Sequence, residues 1–242
     1  MFLSDNIAYI HIPKCGGSTV NSLLGRLTSG SKQRDRAHEP IPVEECRGKM
    51  VVTSVRDPFA WYLSWWSHVC RSNGSHYRKF NTDSFWRSMW SDIHDPKQFR
   101  RFVRTALRSC QLDQPYLRYR FFQHGMLTRR LLHLCTRELT ALDRKWVDEE
   151  ECGTGELLEH WHRFNYLDRV IKLERFAEDS KRCFGDLVTE SSDFDTALEA
   201  AAVKNITSQL EVQEAYDSET EELVAKAEPF AFEVLDYKTS IS

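Results

Sequence analysis

Along the chain, short runs of apolar and β-branched residues alternate with stretches in which apolar residues recur every three or four positions. The run Ile7 to Ile12 stops at Pro13 and Gly16-Gly17, as a buried parallel strand does where it meets a loop. Val20, Leu23, Leu24 and Leu27 then recur at helical spacing until Gly30, with Ser18 or Thr19 as the cap. Residues 31–49 are polar and carry Pro40 and Pro42, so they read as a connection. Met50 to Val55 is a second buried strand, and strand, helix, strand predicts a right-handed parallel crossover. Pro58 suits the first turn of a helix, where its missing N–H is no loss, and Trp61, Leu63, Trp65, Trp66 and Val69 continue it.

From Arg71 to Leu142 the pattern is helical, notably over Pro96 to Ser109 and Thr128 to Leu139. Arg169 to Leu173 reads as a later strand, and Ser218-Glu219-Thr220-Glu221 as a capping box opening a helix toward Glu228. The fold class expected is α/β, a central parallel sheet flanked by helices with a helical insertion after the second strand. We read residues 1–242 as a single domain in which 71–165 is the insertion.

Composition narrows the classes. The chain has 242 residues, 41% hydrophobic, enough to bury a sizeable core, and its net charge of -3 gives no global argument for nucleic acid or membrane binding. The charge is unevenly spread. Residues 71–130 hold 13 basic and 4 acidic side chains, net +9, and the rest of the chain 20 and 32, net -12. No apolar stretch approaches the roughly 18 residues of a membrane span, and we expect no signal peptide before Asn6 to Ile10. The seven cysteines are scattered and form no Cys-x-x-Cys pair. Reduced thiols in a cytoplasmic protein are the simplest account, with no metal centre expected.

Two short motifs carry chemistry. In His11-Ile12-Pro13-Lys14-Cys15-Gly16-Gly17-Ser18-Thr19 a glycine pair lies between a buried strand and a helix start. Glycines let backbone N–H groups approach an oxyanion and a helix N-terminus favours negative charge, while Lys14, Ser18 and Thr19 add donors. The same loop could serve only as a tight turn. The second motif, Val55-Arg56-Asp57-Pro58, ends the next strand, with Ser64 eight residues after Arg56. Parallel strands deliver their C-terminal ends to one sheet edge, so Lys14 and Arg56 converge there. Arg56 then offers a bidentate fork for a second phosphate, or else a structural ion pair with a nearby acid.

These residues resemble a known family. Pro13 to Thr19 looks like the loop that binds the 5′-phosphosulfate of 3′-phosphoadenosine 5′-phosphosulfate (PAPS) in carbohydrate and related sulfotransferases. Arg56-Asp57-Pro58 with Ser64 is similar to that family's 3′-phosphate motif. Weaker likeness extends to Val170 to Phe176, Lys204 to Ser208 and Phe232 to Tyr237. Trp61 and Trp66 depart from the family, which often has arginine and tyrosine there. The resemblance implies a P-loop-like parallel sheet, PAPS as donor with PAP as product, and no metal. It implies Lys14, Cys15, Gly16, Gly17, Ser18, Thr19, Arg56 and Ser64 as donor-binding residues, with Lys14 also catalytic. We read the chain as lacking the N-terminal anchor of the Golgi-resident members, so its likeness is to a soluble, bacterial-type relative and the acceptor is not inherited from theirs. We expect a hydroxyl or amine of a glycan or small molecule. The basic, aromatic segment 71–130 suggests that this acceptor can be anionic.

His38 is the candidate general base, with Glu39 as the substitute. Histidine is suited to take a proton near neutral pH, and His38 lies in the connection where several family members carry a catalytic histidine or acid. A P-loop kinase is the first alternative, but Lys14 precedes the glycines and no Gly-Lys pair opens a helix. A non-catalytic glycan- or nucleic-acid-binding protein built on the arginines of 71–130 is the second. Asn73-Gly74-Ser75 and Asn205-Ile206-Thr207 fit the glycosylation pattern incidentally.

Overall fold

The apolar run at Ile7 forms a strand of four residues, shorter than its periodicity predicts, because the chain leaves the sheet before His11. The structure is a computed structural model that describes residues 1–28, 32–33, 39–70, 92–109, 124–137, 152–187, 191–202 and 210–241. Its elements are β1 (Phe2–Leu3), β2 (Ile7–Ile10), α1 (Gly17–Leu27), β3 (Lys32–Gln33), α2 (Val43–Cys46), β4 (Met50–Val55) and α3 (Pro58–Cys70). There follow α4 (Pro96–Ser109), α5 (Met126–Cys135), α6 (Thr154–Phe164), β5 (Arg169–Lys172) and a 3-10 turn over Leu173–Arg175. The chain continues through α7 (Phe176–Phe184), α8 (Ser191–Ala202), α9 (Val212–Ala215), α10 (Ser218–Ala227) and α11 (Pro229–Val234).

One sheet runs in the order β3-β1-β2-β4-β5. Its centre is parallel, with Ile10 opposite Thr53 and Val55 opposite Lys172. β1 and β3 add an antiparallel edge that the sequence pattern does not show, since two-residue strands are too short to carry a period. The fold is thus the expected α/β class, with a mixed rather than wholly parallel sheet.

Other element ends differ from expectation too: β5 stops at Lys172, one residue early, and α5 begins at Met126, two residues before Thr128. The cap of α1 is Gly16, in the left-handed region at φ 72°, not Ser18 or Thr19. Its carbonyl already accepts from the Thr19 and Val20 N–H groups at 2.9 and 3.1 Å, which leaves both hydroxyl residues inside the first turn. The cap of α10 is Asp217, one residue before the predicted box, and it closes that box with Thr220. α5 ends at Cys135 instead of Leu139, because the Cys135 carbonyl accepts the Tyr166 N–H and Thr136 bridges Asn165.

The chain forms two compact units. The first comprises Met1–Asp57, Arg130–Leu139 and Glu159–Ile206, and the second Pro58–Arg129, Thr140–Leu158 and Thr207–Ser242. The first unit's core sets Ile7, Tyr9, Val52 and Ile171 of the sheet against Val20, Leu23 and Leu24 of α1, Phe184 of α7 and Phe194 of α8. Each such side chain contributes roughly 1.5–3 kcal/mol on burial.

The second unit is packed through aromatic rings. Trp65 and Trp66 of α3 meet Phe102 of α4 at centroid distances of 5.0 and 5.4 Å, and Phe59 meets Tyr216 and Phe232 at 5.3 and 5.2 Å. Trp61 and Trp66, the two departures from the family pattern, are core residues there. The basic helix α4 is likewise committed. Arg100 donates to the Ala215, Glu214 and Tyr216 carbonyls at 2.9, 3.0 and 3.1 Å, and Arg104 pairs with Asp217 and Glu219 at 2.9 and 2.8 Å. Phe99 and Phe102 are buried, so these two aromatics and two arginines of segment 71–130 serve packing rather than a ligand. Residues 71–91 and 110–123 of that segment lie outside the described residues.

Glu228 closes the second unit. Its fully buried carboxylate accepts from the Tyr62 hydroxyl at 2.8 Å, the Leu127 and Thr128 N–H groups at 2.9 and 2.8 Å, and the Thr128 hydroxyl at 2.7 Å. Burial raises its pKa, while these donors, gathered at the N-terminus of α5, pull it back without cancelling the rise.

Candidate active site

Apart from Ser64, every candidate donor-site group in the described residues belongs to the sheet unit. β2 and β4 run parallel and in register, so the loop after Ile10 and the turn after Val55 leave the same edge of the sheet. β5 adds the Leu173–Arg175 turn to that edge.

The first loop is wound tightly. The Cys15 N–H returns to the Ile12 carbonyl at 3.3 Å, and both Lys14 (φ 67°) and Gly16 (φ 72°) take the left-handed conformation. For a lysine this conformation costs about 1–2 kcal/mol, which the surrounding structure must supply. The glycines are required sterically as well. A Cβ on Gly16 would stand 2.5 Å from Leu173 Cδ2, and one on Gly17 would stand 1.9 Å from His11 Cδ2. His11 thus packs its ring edge against the start of α1, whose cap residue, Gly16, offers no side chain of its own. A helix start capped by glycine, with left-handed residues leading into it, suits an oxyanion. Lys14 and Thr19 are half-buried and Ser18 is exposed.

Cys15 contributes through its backbone. Its thiol is fully buried and burial pushes its pKa up to about 12, although the charge of Arg56, the Arg56 N–H and Lys14 all draw it down. It is therefore a thiol at neutral pH and no nucleophile. The charges that act on this one sulfur, Arg56, Glu174 and Lys14, mark how the two motifs converge. Beneath the loop, the Ser54 hydroxyl donates to the Cys15 carbonyl, and Tyr9 Oη lies 2.6 Å from Ser54 Oγ.

Arg56 is half-buried at the end of β4, and among the described residues it enters no ion pair. The adjoining Asp57 N–H donates to Glu174 Oε1 at 3.0 Å, so Glu174 serves as a tie between the turns after β4 and β5. Asp179, fully buried on α7, accepts the Lys172 N–H at 2.9 Å and fixes the end of β5 in the same manner.

Ser64 belongs to the second unit, in the second turn of α3, and is buried there. His38 lies outside the described residues, as do Lys204 to Ser208 and both glycosylation patterns; Glu39 is described and exposed. Among the described residues no three His, Cys, Asp or Glu side chains stand together as a metal site, and no helix is long and apolar enough to cross a membrane. Sequence reasoning missed Tyr9 and Ser54. Their signal was present, since hydroxyls near the loop end of otherwise apolar strands demand partners.

A model of the sulfotransferase family matches residues 1–222 of the chain. No curated protein and no solved structure matches it.

Proposed function

The chain belongs to the sulfotransferase family, and we propose that its donor is PAPS, with the 5′-phosphosulfate at the Lys14–Thr19 loop and the 3′-phosphate at Arg56 and Ser64. The observation that carries this reading is the convergence of two anion-competent features on one sheet edge, the left-handed loop before α1 and the Arg56 turn. When bound, PAPS supplies the activated sulfuryl group. The backbone N–H groups at Gly16 and Gly17 and the hydroxyls of Ser18 and Thr19 hold and orient the 5′ end. The Lys14 ammonium neutralises charge on the leaving oxygen, a role that needs no divalent cation. Arg56 makes a charge-assisted fork and Ser64 a further donor for the 3′ end.

His38 takes the proton of the acceptor, with Glu39 in reserve, and this assignment rests on sequence position and the pKa range of histidine. The acceptor is a hydroxyl or amine of a glycan or small molecule, with anionic groups suited to the basic residues of 71–130 other than Arg100 and Arg104. In this reading the whole chain is one sulfotransferase domain, 71–165 is its acceptor side, and it works in the cytoplasm as a reduced protein.

Calorimetric titration with PAP and with adenosine 5′-monophosphate tests the donor site. Wild-type protein binds PAP the more tightly, and Arg56→Ala weakens PAP about 10- to 150-fold while leaving the monophosphate unchanged. Equal wild-type affinity for the two would remove the case for a 3′-phosphate site. In turnover with labelled PAPS, His38→Ala lowers kcat about 10²- to 10⁴-fold at constant PAP affinity, and full activity in that variant moves the base elsewhere.

A further inference from the structure

The Tyr9–Ser54 pair lies beneath the loop that the proposed function assigns to the 5′-phosphosulfate. Tyr9 stands opposite Val52 in the parallel ladder, so Ser54 is its diagonal neighbour on the same face of the sheet. Both side chains are fully buried. A serine hydroxyl has one proton, and Ser54 gives it to the Cys15 carbonyl, which can only accept. The 2.6 Å contact between Tyr9 and Ser54 must then run from the tyrosine O–H to Ser54 Oγ. Burial raises the Tyr9 pKa far above its ordinary value, so its proton stays in place at any pH the protein meets. The chain of donors is therefore directional: Tyr9 O–H to Ser54 Oγ, Ser54 O–H to the Cys15 carbonyl.

The peptide that receives this chain joins Cys15 to Gly16. A trans peptide holds its C=O and N–H in opposite directions, and among the described residues no peptide bond is cis. Drawing the Cys15 carbonyl down to β4 turns the Gly16 N–H up and away from the sheet. Successive hydrogen bonds also polarise one another, which makes that N–H a stronger donor. A flip of this peptide turns on the φ of Gly16, and a glycine accepts either sign of φ, so the peptide would otherwise have freedom to flip.

We infer that Ser54, backed by Tyr9, is a positioning residue for sulfuryl transfer, fixing the Cys15–Gly16 peptide so that the Gly16 N–H faces the 5′ end of the donor. The inference rests on the reading of the loop as the 5′-phosphosulfate site. It assigns Ser54 no contact with the donor.

Binding of PAP and of adenosine 3′-monophosphate, which lacks the 5′-phosphate, is measured on Ser54→Ala, Ser54→Thr and Tyr9→Phe. Ser54→Ala is expected to weaken PAP about 5- to 15-fold and leave the 3′-monophosphate within twofold of wild type. Ser54→Thr, which keeps the hydroxyl, recovers most of the loss. Tyr9→Phe shows a smaller fall in the same direction and carries the test if Ser54→Ala does not fold. Unchanged PAP affinity in Ser54→Ala or, failing that, in Tyr9→Phe overturns the inference, as does an equal fall for both ligands. If wild-type protein binds no PAP, the donor reading itself fails, an outcome distinct from these.

Discussion

In the sheet unit the buried hydroxyls of Tyr9 and Ser54 are aimed at the backbone of a loop, whereas in the second unit the buried carboxylate of Glu228 is aimed at the end of a helix. Both satisfy polar groups that burial would otherwise penalise, but the scale differs. The hydroxyl pair is neutral and orients one peptide. Glu228 gathers four donors from α3 and α5, and the second unit adds Arg100 and Arg104 tying α4 to the α9–α10 segment. The lesson is that both units use charge to hold backbone in place, through Glu228, Arg100 and Arg104 in the second and through Glu174 and Asp179 in the first, while the loop before α1 is held by neutral hydroxyls.

The largest expected effect comes from breaking the second unit's central tie. Glu228→Ala leaves buried N–H and hydroxyl donors without their acceptor and opens a cavity beside Gly125, whose Cβ position lies 2.0 Å from Glu228 Oε1. Urea unfolding is expected to show a loss of about 3 kcal/mol or more, with Glu228→Gln losing less because it keeps one acceptor. A loss below about 1 kcal/mol would mean that the tie holds nothing.

The sheet unit is vulnerable through glycine instead of charge. Gly17→Ala drives a Cβ into the His11 ring and is expected to cost about 1–3 kcal/mol, with a parallel fall in PAP affinity because the loop must shift. Gly25 on the same helix has nothing within 4 Å of the place a methyl group would occupy, so Gly25→Ala is expected to gain about 0.4–1 kcal/mol. Thermal melts of the pair check both signs. Equal behaviour of the two variants would show that the His11 contact does not constrain the loop.

The same contrast explains what could be read from the chain alone. β4 and α4 fall where hydrophobic periodicity puts them, because that signal is local. The glycine loop and Arg56 were legible for the same reason, since a parallel crossover fixes where strand ends go. Glu228 was not, because its partners Leu127 and Thr128 lie 101 and 100 residues away, and Arg100 reaches a carbonyl 115 residues on. Nothing in the spacing of arginines on α4 distinguishes a tie from a ligand site. The Tyr9–Ser54 pair falls between these cases, as two polar residues in apolar strands whose partnership becomes visible only once the register is known.

The smallest expected effect separates the two units by pH. Asp217 caps α10, accepting the Thr220 N–H at 2.9 Å and the Thr220 hydroxyl at 2.6 Å, and pairs with Arg104. Burial pushes its pKa up, but these hydrogen bonds and the Arg104 and Arg100 charges outweigh it and hold the carboxyl below its ordinary 3.8. The folded state therefore binds fewer protons here than the unfolded chain. The stabilisation is present above that ordinary value and is lost as pH falls through the lower, folded one. Asp217→Asn keeps an oxygen for the cap but replaces the Oδ2 that accepts from Arg104 by an amide NH2, removing the charge and that hydrogen bond, so at pH 7 it is expected to cost about 0.5–1 kcal/mol. That difference shrinks toward zero as the pH is lowered below 3.8. Tyr9→Phe in the sheet unit, where burial keeps the phenol protonated, is expected to show a stability difference that stays flat from about pH 4 to 8. Paired urea titrations at several pH values check this; a flat difference for Asp217→Asn, or a sloping one for Tyr9→Phe, would break the division between a charged tie and a neutral one.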